Sequence, residues 1–375
     1  MNVLHLTSHL HVGGVSRSVL SVSRELRARG HRVVVASGGG SWEAQAAAAG
    51  IEHWTLPLHT SVEFSPQVFA ATRRVLARLR AQPVNVLHAH TRVGQVVAAR
   101  VSRALRIPYV TTWHGFFRPN LGRRLWPCTG DLTIAISEPV RDHLRQVFGV
   151  PAERIRLIPH GIDPAPFEAP ADPVAQASLR DRLRLTRHEP VIGTVARLVA
   201  SKGVEQLIRS LPAIRAVVPQ AQLLIVGDGG ARASLERLAA ELGLAEAVRF
   251  AGALPDTPVA LSLMDLFVFL PADEEGFGLS LLEAMAGGRP IVAIRRGGGA
   301  SWVLEQSGVG LLVEPGDLQA LANAVIRGLQ DGEWACRAAG QARGVVRERY
   351  TLTRMVDQLE AVYQEATSNK RQATP

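Results

Sequence analysis

The feature that most restricts the fold of this chain is a rhythm of short apolar runs alternating with longer amphipathic ones. Residues 3–7, 32–37, 51–56, 86–88, 109–112, 132–136 and 156–158 are strand-length and rich in Val, Ile and Leu. Between them lie stretches with helical periodicity, such as 15–29, closed by Gly30, and 96–105. Strands apolar on both faces and separated by helices belong to a parallel sheet covered on both sides. From residue 155 to 190 the rhythm breaks into Pro- and charge-rich sequence (Pro159, Pro164, Pro166, Pro170, Pro173), which reads as a linker. A second alternation follows at 191–195, 222–226, 248–250, 266–270, 290–294 and 310–313. The expected architecture is α/β: two Rossmann-like, doubly wound domains, residues 1–165 and 166–349, facing an interdomain cleft where open α/β sheets take ligands. The helical run 350–366 is expected to pack back on the first domain, and 367–375 to form a disordered tail.

Composition excludes several classes. A chain of 375 residues can bury two full cores. No apolar run approaches the roughly 18 residues a membrane span needs. The N-terminus enters a strand without the basic and apolar regions of a signal peptide. Cys128 and Cys336 are far apart and unpatterned, which fits a reduced, cytoplasmic compartment and suggests neither a disulfide framework nor a metal site. Charge is lopsided: residues 1–165 carry 20 Arg against 9 Asp and Glu, whereas 166–375 are nearly balanced. Such a basic half attracts anionic partners, namely nucleic acid, acidic lipid headgroups or a phosphorylated acceptor. The plainer alternative is a solvated, Arg-rich surface, since 40 of the 42 basic residues are Arg. No nucleic-acid-reading module is visible, so nucleic acid is not expected as a partner.

The segment 274–288, Glu-Glu-Gly-Phe-Gly-Leu-Ser-Leu-Leu-Glu-Ala-Met-Ala-Gly-Gly, follows an apolar run and opens a helix near Phe277. A strand, glycine turn and helix start form a natural seat for an anion, because free N–H groups and the helix dipole both favour negative charge. Glu275 in the loop and Glu283 two turns on lie about 10 Å apart at 1.5 Å per residue. At that separation they do not share a proton, but they can hold the two hydroxyl-bearing ends of a ligand whose charged middle sits at the helix start. A nucleotide-sugar has this layout. Arg197 and Lys202, in the loop after the strand at 191–195, can clamp a diphosphate, one by a planar fork and one as a point charge. Gly13 and Gly14 after the first strand let a backbone approach a ligand. His114, in Trp113-His114-Gly115 at a strand end, is a candidate cleft residue. His88 and His90 read as core or cleft wall rather than metal ligands. A dinucleotide fingerprint, an Asp-x-Asp pair, a Walker loop and a Gly-x-Ser-x-Gly elbow are all missing, so no metal and no resident cofactor are expected.

Taken together these motifs resemble glycosyltransferase family 4, the retaining nucleotide-sugar transferases of the GT-B fold. The resemblance covers nearly the whole chain: Gly13-Gly14, Trp113-His114-Gly115, Ser137-Glu138, His160-Gly161-Ile162-Asp163, Arg197 to Lys202, Val226 to Gly229, Phe250 to Gly252, Glu275 to Glu283, and Gly298-Gly299. It implies that Glu275 contacts the donor sugar, Glu283 the ribose, and Arg197 with Lys202 the diphosphate. Backbone groups at Gly278, Leu279, Gly13, Gly14 and Gly227 would cradle the donor, Phe250 would meet the base, and His114 would line the sugar or acceptor pocket. Two departures stand out: Ser301-Trp302 where the family commonly has Glu, and His160 where Asn is frequent. The implied function is transfer of a sugar, with retention and without metal, from a nucleoside-diphosphate-sugar to a hydroxyl of a glycan or lipid-linked acceptor, as in lipopolysaccharide or exopolysaccharide synthesis. A sugar-nucleotide epimerase of the same fold is the alternative. The segments 69–80 and 116–126 mix aromatics or leucines with Arg, which points to an anionic acceptor and peripheral contact with the anionic inner face of a membrane.

Overall fold

The computed structural model describes residues 1–375 apart from 61, 255–256, 272–274, 297 and 373–375, and apart from the side chains of residues 125 and 371. The chain divides into two compact units, residues 1–161 with 352–375, and residues 162–351.

The first unit is built on a seven-stranded parallel sheet: β1 (Asn2–Leu6), β2 (Arg32–Ser37), β3 (Glu52–Thr55), β4 (Val86–Ala89), β5 (Tyr109–Trp113), β6 (Leu132–Ala135) and β7 (Ile155–Leu157). Their spatial order is β3-β2-β1-β4-β5-β6-β7. Period-two alternation sends neighbouring residues to opposite faces. Leu4, Leu6, Val34 and Leu87 meet the helices Pro66–Ala81 and Arg92–Leu105 on one face. Val3, Val33, Val86, Val110 and Ile134 meet Val22 and Leu26 of the helix Gly14–Ala28, and Met355, Val356, Leu359 and Val362 of the helix Leu352–Gln372, on the other. His5 and His88 share the parity of Val3 and Val86, so this second face carries two imidazoles directly opposite each other in the β1–β4 register.

The helix Leu352–Gln372 runs past Thr367, where the sequence suggests a disordered tail. Its polar positions are tied to the unit by Arg29 to Glu360 and Asp357, by Arg156 to Glu365, and by Lys370 to Asp131 at 3.1 Å. Polar composition there reflects a solvated helix face rather than lack of structure.

The second unit is a six-stranded parallel sheet: β8 (Val191–Val195), β9 (Gln222–Val226), β10 (Val248–Gly252), β11 (Leu266–Phe269), β12 (Ile291–Ile294) and β13 (Leu311–Val313), in the order β10-β9-β8-β11-β12-β13. Its core joins Ile192, Leu223, Ile225, Val268 and Val292 to Leu207, Leu211 and Ile214 of the helix Val204–Val217. The expected linker is not open chain. It holds the helices Ala165–Glu168 and Pro173–Arg182, whose Gln176 hydrogen-bonds Ser262 at 3.0 Å. Prolines at the first turns of these helices start them rather than break them. In both sheets the strand order reverses once, at β1/β4 and at β8/β11, and the crevice beyond the carboxyl ends of such strands is where open α/β sheets bind ligands.

Candidate functional sites

In the second unit the reversal point brings together the loops after β8 and β11. The first loop runs through Arg197 to a short 3-10 turn, Ala200–Lys202, and Gly203 in the left-handed region (φ +62°) hands the chain to the helix Val204–Val217. Lys202 forms an ion pair with Glu275 on the second loop. Both side chains are about one-fifth exposed, so the pair is reachable yet poorly hydrated. Burial, then the positive charge of Arg197, lowers the Lys202 ammonium from 10.5 to about 8, even with the carboxylate beside it. Arg197 itself is exposed. Among the described residues this pair of loops sets two cations against one carboxylate, a balance that a phosphate would complete.

Gly227 shows why this loop has its shape. Its φ is +135°, and a Cβ there would lie 1.9 Å from the Ala196 carbonyl oxygen. Gly229 makes a similar approach to Leu198 at 2.3 Å. Ala196 and Leu198 donate to the carbonyls of Val226 and Asp228, which locks the Arg197 segment to the loop after β9. Gly227 is therefore a scaffold position for Arg197. Phe250, in β10 beside β9, is half-buried against the core.

The helix after β11 is Leu279–Ala286, so it begins two residues later than the sequence suggests. Gly278 is its N-cap, with φ +93°, and a Cβ there would strike the Phe269 ring at 2.6 Å; as a glycine it supplies no capping side chain of its own. Leu279 and Ser280 are half-buried and lead the helix. Glu283 lies in its second turn and is 2% exposed. Asp273 and Glu274 lie outside the described residues. Glu275 accepts a bond from the Gly299 amide on its backbone oxygen at 3.2 Å, joining this loop to the start of the helix Gly299–Ser307. Ser301, at the departure from the family pattern, is buried and donates to the Arg296 carbonyl at 2.6 Å. Trp302 packs on Phe277, ring centroids 6.5 Å apart. The departure thus supports the loop mechanically.

In the first unit Gly13 and Gly14 are exposed at the start of the helix Gly14–Ala28, and no side chain among the described residues caps it. Gly13 is extended, with open space where a Cβ would stand, so its absence of a side chain leaves room rather than relieving strain. His114 follows β5 and is half-buried. Both of its ring nitrogens are engaged, Nε2 with His90 Nδ1 at 3.1 Å and Nδ1 with His160 Nε2 at 3.2 Å. The sequence reading isolates His114 and misses this company. His5, His88, His90 and His160 are all buried, and desolvation holds each well below the ordinary imidazole value, His160 at about 4 and His5 at about 3. The signal in the sequence is a His one residue from the end of β1, two around the end of β4, and one after β5, positions that adjoin only once strand order is known.

The helix Pro66–Ala81 turns Leu79 into the core, with Leu76 packed against it. Its apolar side is therefore mostly interior, contrary to the membrane-facing reading of that segment. Phe69 remains 47% exposed under the Arg100 guanidinium, 3.8 Å from the ring, and Arg100 also overlies Trp126, which stacks on Phe64. Phe117 packs edge-on to Trp113. Arg92 holds this region together, binding Glu63 at 2.5 Å and the carbonyls of Trp126 and Pro127.

Two open parallel sheets, each with one strand reversal, give the chain two doubly wound α/β units, the architecture of the GT-B glycosyltransferases among its structural neighbours. A family model described as "Glycosyl transferases group 1" matches residues 176–344, and one described as "Glycosyltransferase Family 4" matches residues 12–166. The chain belongs to glycosyltransferase family 4. It is 37% identical over 204 residues, 52% of each chain, to the GDP-mannose-dependent alpha-(1-6)-phosphatidylinositol monomannoside mannosyltransferase of Mycolicibacterium smegmatis. The match thus spans about half the length of that relative. It is 24% identical over 371 residues to the N-acetyl-alpha-D-glucosaminyl L-malate synthase of Bacillus anthracis, covering 96% of this chain and 95% of the other. Among solved structures, Anabaena HepE in complex with UDP-glucose superposes with a TM-score of 0.83 at 25% identity, over 97% of this chain and 100% of that one. These matches give the epimerase alternative no support.

Proposed function

We propose that this chain is a retaining, metal-independent glycosyltransferase that moves a sugar from a nucleoside-diphosphate-sugar to a hydroxyl of an anionic glycan or lipid-linked acceptor. The observation that carries the reading is the Lys202–Glu275 pair at the β8/β11 reversal, beside the exposed Arg197 and the glycine-capped start of the helix Leu279–Ala286. Arg197, Lys202 and the first amides of that helix take the diphosphate; Glu275 takes hydroxyls of the sugar and Glu283 those of the ribose, with Phe250 near the base. In the first unit, Gly13 and Gly14 offer backbone donors and His114 lines a sugar or acceptor pocket with a neutral imidazole. The anomeric C–O bond to the β-phosphate breaks, the acceptor oxygen bonds the same carbon on the same face, and the acceptor proton passes to the leaving phosphate oxygen. Catalysis rests on stabilising charge that builds on that phosphate.

The Phe64, Phe69, Arg100 and Trp126 surface of the basic first unit supports an acceptor carried at an anionic membrane face, as in lipopolysaccharide or exopolysaccharide synthesis. Among the described residues no helix is long and apolar enough to cross a membrane, so contact of this kind would be peripheral. The relatives point to two donors, GDP-mannose and UDP-glucose. A thermal-shift panel of UDP, GDP and ADP, followed by product analysis with the matching sugars, decides between them; stabilisation by none of the three refutes the reading.

A further inference from the structure

We propose that His5, His90, His114 and His160 form one tautomerically locked imidazole chain, closed at one end by Ser18, that positions His114 by fixing which of its nitrogens carries the proton. The links run from His5 Nδ1 to His90 Nε2 at 2.9 Å, from His90 Nδ1 to His114 Nε2 at 3.1 Å, from His114 Nδ1 to His160 Nε2 at 3.2 Å, and from His160 Nδ1 to Ser18 Oγ at 3.3 Å. Every link joins a δ nitrogen to the next ring's ε nitrogen, so the polarity is uniform along the chain. A neutral imidazole has one N–H and one lone pair. If one ring reverses its tautomer, two N–H groups or two lone pairs meet head-on, so the rings reverse together or not at all.

The two senses are not equivalent. Ser18 can accept or donate, and closes either. The other end is His5 Nε2, which is buried and among the described residues meets no hydrogen-bond partner. One sense leaves a bare lone pair there and the other a buried N–H. Orphaned buried donors are the rarer case, so all four rings take the Nδ1–H form. His88 stands beside the chain, its ring 4.1 Å from that of His90, but both of its nitrogens are held, by Tyr363 at 2.6 Å and Thr112 at 2.7 Å. For that reason His5, His88 and His90, which are close enough to surround a metal ion, read better as hydrogen-bonded imidazoles than as ligands.

The consequence for the proposed site is that His114, with both ring nitrogens engaged, presents a fixed, neutral ring face, held in place from the interior by His90 and His160 acting as positioning residues. The lock itself is tested without activity. In the full chain labelled with 15N-histidine, long-range 1H–15N correlation, assigned by single His→Gln substitutions, should show protonated Nδ1 and bare Nε2 at all four rings. Ser18→Ala, a small change in a buried wall, should alter the tautomer of His160 and also of His90 and His5, which do not touch it. His160→Asn, whose carbonyl can accept from His114 Nδ1, should keep His114 in the Nδ1–H form, and His160→Ala should not. Mixed tautomers along the native chain, or a Ser18→Ala response confined to His160, would overturn the proposal whether or not the protein transfers sugar.

Discussion

Lys202 offers a direct reading of how the second unit handles a diphosphate. Its ammonium falls from 10.5 to about 8, chiefly through burial and then through Arg197. At 1.36 kcal/mol per pH unit that fall is about 3 kcal/mol of penalty on the charged form in the empty site. A bound diphosphate supplies the missing negative charge and raises the group again. Binding above pH 8 must therefore be accompanied by uptake of a proton, and affinity should weaken up to about tenfold per pH unit from 8 towards 10. The sign is fixed: a full pH unit or more below 8 the lysine is already charged, and its contribution to the slope vanishes. Titration calorimetry of UDP or GDP at pH 7, 8, 9 and 9.5, in two buffers of different ionisation enthalpy, measures both the slope and the proton count. Lys202→Arg, charged throughout this range, should bind with a flat profile. A native profile that is flat to pH 9.5, or the same slope in the arginine variant, would refute the assignment.

Two further outcomes follow from the geometry. His5, His88, His90, His114 and His160 all have folded values depressed below 6.5 by burial, so the unfolded chain binds more protons below that pH and stability must fall with it. Each group contributes a slope approaching about 1.4 kcal/mol per pH unit; urea denaturation between pH 6.5 and 5 should show a slope steeper than any single group gives. Gly227→Ala places a Cβ against the Ala196 carbonyl in a left-handed backbone, and should cost about 3 kcal/mol while weakening nucleotide binding through Arg197. Thermal melts and a UDP or GDP titration check it; an unchanged melting temperature would contradict the close approach.

Strand and helix periodicity made the two parallel sheets legible, because apolar runs flanked by helices leave few alternatives. The Lys202 and Glu275 loops were also legible, since glycine turns and charge at strand ends are local signals. Legibility failed where the determinant was not local. The helix Leu352–Gln372 looks disordered beyond Thr367 until Asp131, more than two hundred residues away, supplies the partner of Lys370. Prolines at 166 and 173 look like linker but occupy helix first turns. The imidazole chain draws its members from four separate stretches, and only the order β1-β4-β5 puts His5, His90 and His114 side by side.

The helix Leu352–Gln372 also bears on how the chain is made. Tyr363 is fully buried against β1 and β4 neighbours and holds His88. During synthesis the sheet of the first unit emerges early, but the part of its face not covered by the helix Gly14–Ala28 stays bare while residues 162–351 are translated. The intervening unit is contiguous and can fold as it leaves the ribosome, whereas its predecessor waits for Leu359 and Val362. Nascent chains stalled before residue 352 should therefore bind chaperones through that uncovered face, and release should coincide with the helix closing over it.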